Sequence, residues 1–314
     1  MIQTEIKVKA KPFLKWAGGK TQLLSTLDYY LPKSFGKEKN ITYIEPFVGG
    51  GAMLFFMLRK YPNIKRAIIN DINPHLVKTY TIIRDNPYLL IDVLTELQEK
   101  FRTLGDSSAQ KELFLNVRSR FNQDCLSDIE EAAYMIFLNR TCFNGLYREN
   151  SKGKFNVPFG RYSNPTICDS SLIISDSRLL QKVEILNGDF VQTGDYVDGY
   201  TFVYFDPPYR PLDSTSSFNS YVKETFDDAE QIRLKDFYTS LSADGCFEML
   251  SNSDCKGRNP EDDFFDKLYQ DFYIERVYAK RNINANAAKR GTLTELLIRN
   301  YEKYQGSPAN LFNL

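Results

Sequence analysis

Apolar and polar positions along the 314-residue chain fall into two patterns. Short apolar runs rich in aromatic and β-branched residues stand at 41–47, 67–71, 183–186, 201–205 and 246–251, and such runs predict strands covered on both faces. Apolar residues at helical spacing predict helices over 21–31, 53–58, 76–84, 88–104, 111–121, 128–139, 169–182, 229–241 and 261–270. Residues 273–279 and 293–300 read as a closing antiparallel pair of strands. Between 73 and 186 helices follow one another with no strand that pairs obviously into a sheet. Elsewhere strand and helix alternate, which predicts an α/β protein with a doubly wound, Rossmann-like sheet. Residues 1–74 and 186–314 would build the sheet domain, and 75–185 would be an inserted helical domain.

The strand ends carry the candidate chemistry. The run Phe202-Val203-Tyr204-Phe205 stops at Asp206-Pro207-Pro208-Tyr209. Each proline fixes its own φ and pushes the preceding residue out of the helical region, so Asp206 and Pro207 are expected to be extended and stiff. The Asp206 carboxylate and the Pro207 carbonyl then form a rigid pair of acceptors beside the flat face of Tyr209, an arrangement suited to two N–H donors on a planar ring. Taken alone, the tetrapeptide also fits a simple strand-ending turn.

Upstream, 41–47 runs through Gly49-Gly50-Gly51 into a helix, the order with which doubly wound proteins make a ligand cleft. The dinucleotide fingerprint is incomplete, because Leu54 stands three places after Gly51, and a helix-packing glycine cluster is the alternative. Asp71 ends the next strand about twenty residues on, where an acid grips ribose hydroxyls in such folds. Gly188-Asp189-Phe190 follows a further strand edge and offers an acid and a ring to an adenine. The combination suggests a nucleoside cofactor. Nearer the N-terminus the only tryptophan, Trp16, stands beside Gly18-Gly19, with Lys20 opening a helix. The glycines let backbone approach a ligand closely, and the missing upstream glycine excludes a Walker loop.

Charge narrows the partners. Forty basic residues balance forty acidic ones, so nucleic acid would have to be met by local patches. One is 139–161, where Arg140, Arg148, Lys152, Lys154 and Arg161 alternate with aromatic residues and are opposed only by Glu149. Asn144-Gly145 and Lys152-Gly153 mark turns, so this is a hairpin or long loop, either nucleic-acid-facing or merely solvated. A second patch, Arg276, Lys280, Arg281, Lys289 and Arg290, reads as a phosphate-facing loop. The Ser/Thr-rich stretch 211–225, with Phe218 and Tyr221, suggests a mobile flap over the site. Five cysteines without metal-type spacing and a single histidine, His75, argue against a disulfide framework, a multi-histidine zinc site and a Ser-His-Asp triad. With no signal-type or membrane-spanning apolar run, a cytoplasmic location is expected.

Together these pieces resemble the Dam-type DNA adenine methyltransferases, the α group of amino-methyltransferases, over nearly the whole chain. Phe13 to Lys20 matches that family's N-terminal cofactor motif, Ile44 to Gly51 its S-adenosylmethionine motif, and Asp206 to Tyr209 its catalytic motif. The insert stands between the last two as a target-recognition domain, and 139–161 resembles the recognition hairpin of GATC-methylating members. The resemblance implies Asp206, Pro207 and Tyr209 as catalytic. It implies Trp16, Ala17, Gly18, Lys20, Glu45, Phe47, Gly49, Asp71 and Asp206 around S-adenosylmethionine, with Asp189 and Phe190 near its adenine. It implies Phe143 and Asn144 as the pair entering the base stack, Arg148 as a guanine reader, Leu146 and Pro158 as apolar base contacts, Lys15 near the outer base pair, and Arg140 as a further DNA contact. One branch has tyrosine where this chain has Phe143, which keeps the stacking ring and removes a hydroxyl. The expected activity is methyl transfer from S-adenosylmethionine, without metal, to the amino group of a flipped adenine in duplex DNA, by a monomer. The expected site is GATC, with a cognate restriction endonuclease as a possible functional partner acting on the same sequence without contact. Alternatives are a cytosine-amino or RNA methyltransferase, or a non-catalytic DNA-binding relative.

Overall fold

Strands buried on both faces organise the molecule. The computed structural model describes residues 9–123, 125–210, 226–279 and 293–302. Within them β1 (Ile41–Glu45), β2 (Ile64–Asp71), β3 (Val183–Asn187), β4 (Thr201–Phe205), β5 (Phe247–Ser253), β6 (Tyr273–Ala279) and β7 (Leu293–Arg299) form one sheet in the order β3-β2-β1-β4-β5-β7-β6. The first five in that order are parallel, and β7 runs antiparallel between β5 and β6. The doubly wound α/β expectation holds, with the closing pair joined to β5 through β7. Alternation along β4 explains its apolar run: Phe202 and Tyr204 enter one core, Val203 and Phe205 the other.

One apolar cluster joins the first face to seven helices of the described residues: α1 (Leu24–Tyr29), α2 (Ala52–Lys60), α3 (Pro74–Asp85), α4 (Pro87–Thr103), α5 (Ser107–Phe121), α6 (Asp128–Thr141) and α7 (Ser170–Leu180). The second face is covered by α8 (Asp228–Ala243), α9 (Cys255–Arg258) and α10 (Phe264–Leu268). Asn73, Asp106, Asp169 and Asp227 cap their helices, and Ser127 forms a reciprocal capping box with Glu130. Three expected helices are shorter in the structure, α7 only at its ends. α1 starts at Leu24 without a side-chain cap, and Asn259 and Asp262 hold their segment as turns by accepting from the backbone N–H groups of Glu261 and Phe264.

Phe101, Phe114 and Phe137 of the helical block share one apolar cluster with Tyr43 and Phe202 of the sheet, so the block leans on a face already built. The hairpin expected over 139–161 appears as two isolated antiparallel bridges, Cys142 to Phe159 and Glu149 to Phe155, around a 3-10 turn at Phe143–Gly145. The expected flap at 211–225 and residues 280–290 of the second basic patch lie outside the described residues. Arg276, its described member, lies on β6 and pairs with Asp254 and Asp266 at 3.1 and 2.8 Å. Among the described residues no helix is long and apolar enough to cross a membrane.

Candidate active site and nucleic-acid-facing loop

The parallel strands β1, β2 and β4 release the chain at one edge of the sheet, and β1 lies between the other two, which is the switch point where α/β proteins bind ligands. Phe47, Asp71 and Asp206 all follow or end strands there. Because β7 is antiparallel, its beginning reaches the same edge, with Glu295 opposite Ser253 at the end of β5.

Lys20 is the hub. Its Nζ lies 2.9 Å from Asp206 Oδ1, 4.0 Å from Glu295 Oε2 and 4.4 Å from the centre of the Tyr209 ring, and it donates to the Gly18 carbonyl at 2.8 Å. Only 5% of the Lys20 side chain is exposed. The Tyr209 hydroxyl donates to Glu295 Oε2 at 2.8 Å. Burial pushes the Asp206 carboxyl up to about 6, against the pull of Lys20 and with a further push from Glu295. The loop after β4 is pinned on its far side. Gln231 donates to the Pro208 carbonyl at 3.1 Å, Ser253 donates to the Arg210 carbonyl at 2.9 Å, and Arg210 pairs with Asp228 and Asp262. The stiffness expected of the two prolines is therefore reinforced by tertiary contacts.

Glu45, expected near the cofactor, is 2% exposed and accepts from the Tyr43 hydroxyl at 2.5 Å. Burial pushes its carboxyl up to about 8. The glycine turn has a packing reason. A Cβ on Gly51, which has φ +71°, would fall 2.4 Å from the Tyr80 hydroxyl oxygen, and one on Gly50 would fall 2.9 Å from Trp16 Cβ. The packing reading of the cluster is thus realised. Asp71 accepts from the backbone N–H groups of Gly49 at 3.0 Å and Asn73 at 2.9 Å, which ties the acid to the turn. Asn70, which no motif singled out, is buried and donates to the carbonyls of Pro46 and Gly188, binding the ends of β1, β2 and β3 together. Phe47, Phe190 and Phe226 form a ring cluster, with the Arg233 guanidinium 4.2 Å from the Phe190 ring centre. Asp189 gives both carboxylate oxygens to Arg233, at 3.0 and 2.7 Å.

The second surface is exposed and yet held. Phe143 and Leu146 are 52% and 39% exposed, and Lys15, Asn144, Arg148 and Pro158 are also exposed. Beneath them buried Asn139 accepts from the Lys15 N–H and donates to the carbonyls of Lys15 and Gly145, each at 2.9 Å. Asn144 takes a left-handed backbone at φ 56°, and a Cβ on Gly145 would strike Lys15 Cδ at 2.4 Å. Trp16 stacks on Tyr147 with ring centres 5.4 Å apart. The N-terminal segment and the loop at 143–147 therefore form one packed unit. Arg148 Nε donates to Asn156 Oδ1 at 2.7 Å, which aims its side chain from across the hairpin. Arg140 is half-buried, donates to the Phe13 carbonyl at 2.6 Å, and is pulled down by burial. It braces the N-terminal segment, as Lys154 Nζ, donating to the Asn122 carbonyl at 2.5 Å, braces its own loop.

A cleft at a sheet switch point, with one lysine among carboxylates, a glycine turn and a ring cluster, defines an α/β enzyme of the nucleoside-cofactor type. Comparison with known proteins then narrows the class. Residues 16–283 match the family model described as D12 class N6 adenine-specific DNA methyltransferase. The chain is 50% identical over 299 residues to the type II methyltransferase M.MjaIII of Methanocaldococcus jannaschii, covering 94% of this chain and 100% of that one. It is 41% identical over 300 residues to the type II methyltransferase M1.LlaDCHI of Lactococcus lactis, covering 94% and 97%, and 33% identical over 292 residues to the DNA adenine methylase of Haemophilus influenzae, covering 93% and 94%. The chain belongs to the D12 class of N6 adenine-specific DNA methyltransferases. The family implies S-adenosylmethionine, and the donor set fits it: carboxylates for hydroxyl and cationic groups, rings for an adenine, and bare backbone at the glycine turn. Among the described residues no group of three histidine, cysteine or acidic side chains could hold a metal ion.

Proposed function

We propose that this adenine methyltransferase acts on an adenine flipped out of duplex DNA within a GATC site, with 75–185 as its target-recognition insert, as the methylating half of a restriction-modification pair. The exposed but rigidly seated pair Phe143-Asn144, joined through Asn139 to the segment that carries Lys20, is the observation that carries this reading. In the reading, Phe143 and Asn144 enter the stack that the adenine leaves. Flipping costs a few kcal/mol, and stacking on Tyr209 returns roughly 1 to 3 kcal/mol. Arg148 reads a guanine in the major groove, Leu146 and Pro158 contact bases, and Lys15 meets the outer base pair. The enzyme acts as a monomer and shares only its sequence with an endonuclease.

Trp16, Ala17, Gly18, Lys20, Phe47, Gly49, Asp71, Asp189, Phe190 and Asp206 would hold S-adenosylmethionine, with Glu45 beneath. Bound there, the cofactor supplies an electrophilic methyl on a sulfonium. An adenine amino group is a poor nucleophile because its lone pair is shared with the ring. The Asp206 carboxylate and the Pro207 carbonyl each accept one of its N–H groups, drawing the nitrogen towards a pyramidal shape and freeing the lone pair. Asp206 also stabilises positive charge as it develops on that nitrogen, a contribution whose loss typically slows chemistry about a hundredfold to a thousandfold.

The test is methyl transfer from labelled S-adenosylmethionine to a long unmethylated duplex, followed by analysis of the modified nucleoside and its sequence context. N6-methyladenine confined to GATC is expected, with Asp206→Ala binding DNA but transferring little. Arg148→Ala should lose discrimination at one guanine far more than it loses random-sequence binding. N6-methyladenine in another context would overturn the GATC assignment, and near-normal transfer by Asp206→Ala would overturn the catalytic one.

A further inference from the structure

The cleft holds a carboxylate that the mechanism above does not use. Glu295 lies near the start of β7, some 275 residues from Lys20 and 86 from Tyr209 in sequence, and its Oε2 accepts from the Tyr209 hydroxyl at 2.8 Å while standing 4.0 Å from Lys20 Nζ. Its side chain is 12% exposed. Lys20 Nζ is also 2.9 Å from Asp206 Oδ1. One lysine therefore stands between two carboxylates, and one of these also holds the ring beside the other.

This arrangement poses a problem that Glu295 answers. A lysine tight against Asp206 occupies an acceptor that an amino group needs. Its positive charge also opposes the charge that develops on the attacking nitrogen. Lys20 is too buried for water to screen that charge fully. A second carboxylate within reach of Nζ lets the lysine lean away from Asp206 without being left buried and unpaired, a state that is strongly unfavourable. The same carboxylate fixes the tilt of the Tyr209 ring through its hydroxyl.

We propose that Glu295 is a positioning residue for methyl transfer: it draws Lys20 off Asp206 when Asp206 accepts the substrate amine, and it orients Tyr209 as the stacking face. The inference rests on the reading of Asp206 and Tyr209 as the catalytic pair. The groups that face Asp206 are Lys20 from the N-terminal segment, Glu295 from β7, Tyr43 and Glu45 from β1, and Tyr204 and Tyr209 from its own segment. Removing the Glu295 charge leaves Lys20 on Asp206, so Asp206 ionises at lower pH while becoming a poorer acceptor. The rate and its acid limb must then move together.

The experiment compares the wild type with Glu295→Gln, Tyr209→Phe, the double variant and Asp206→Ala, using single-turnover transfer to a long unmethylated duplex of mixed sequence between pH 5 and 9. Glu295→Gln keeps an acceptor for the hydroxyl and loses the charge. Its transfer rate at saturating substrate should fall about tenfold to a hundredfold with little change in DNA or cofactor affinity, and the acid limb of its pH profile should move down by about half a pH unit or more. Tyr209→Phe should slow transfer without moving that limb, and the double variant should be less impaired than the product of the two singles. A Glu295→Gln enzyme with the wild-type rate, or one slowed with an unmoved limb, overturns the inference. Should Glu295→Gln not fold, additive effects of Tyr209→Phe and Glu295→Asp would overturn it instead. Near-normal transfer by Asp206→Ala would instead defeat the catalytic reading beneath it, so the two failures are distinguishable.

Discussion

Replacing Asn139 with alanine tests whether the nucleic-acid-facing loop is seated on the cofactor segment. Asn139 is 1% exposed and makes three hydrogen bonds, one accepted from the Lys15 N–H and two donated to the carbonyls of Lys15 and Gly145. The Gly145 bond is buried, whereas the two at Lys15 are only partly so. Water can replace part of the latter pair, and the former has no substitute. A buried acceptor left unpaired costs about 1 to 3 kcal/mol, and two partly wet bonds add about 0.5 to 1 kcal/mol each, for a total of about 2 to 5 kcal/mol. The sites lost join a surface loop to the chain ahead of α1, so most of this is expected as loop disorder and not as global unfolding. A loop that must be reordered on DNA binding then weakens that binding tenfold to several hundredfold, by the conversion of about 1.4 kcal/mol per decade. The assay is equilibrium binding to duplex DNA at one fixed salt concentration, beside a cofactor titration followed by Trp16 fluorescence, the chain having no other tryptophan. Because Trp16 stacks on Tyr147, its emission should also shift in the variant before any ligand is added. Asn139→Asp keeps the acceptor for the Lys15 N–H but presents a carboxylate to two carbonyls, so it should be no better than alanine. Wild-type DNA affinity in a folded Asn139→Ala protein would refute the reasoning.

Two further outcomes follow from the site. Since Asp206 must be ionised to accept the amine and is held up to about 6, kcat/KM should fall as pH drops through about 6 and level off above it, where an unperturbed carboxylate would keep activity down to about 4; a profile flat to pH 5 would contradict this. Gly51→Ala forces a side chain onto a positive φ and a Cβ to within 2.4 Å of the Tyr80 hydroxyl oxygen, so it should cost about 2 to 3 kcal/mol and several degrees of Tm. Gly36→Ala, with nothing within 4 Å, should be near neutral, and Tyr80→Phe should recover part of the Gly51→Ala loss.

What was legible in the sequence is what local pattern encodes. β1 and β4 declared themselves because both faces are buried, so that every residue of theirs is apolar or paired. Helix starts were read less well: Asn73, Asp106 and Ser127 cap α3, α5 and α6, and α5 begins at Ser107, four residues ahead of the expected 111. Asp206, Tyr209 and Lys20 stood out because proline, glycine and aromatic residues around them restrict or free the backbone. The inward bond of Arg140 was not legible for the opposite reason: a count of basic residues ignores which face of a helix a residue occupies, and the C-terminal end of α6 turns Arg140 towards the Phe13 carbonyl. Asn139 and Asn70 were missed because a buried amide that ties backbone carbonyls leaves no local spacing to read. Glu295 lay between these cases. It interrupts an otherwise apolar strand, Leu293 to Ile298, and a charge in such a run needs a partner. The partner's identity required the sheet order, since only an antiparallel β7 inserted beside β5 brings the start of the last strand to the edge where Lys20 and Tyr209 stand. The residues that hold the reacting groups thus come from segments close to the glycine and proline signals, while those that set their charge and tilt come from wherever the sheet topology returns the chain.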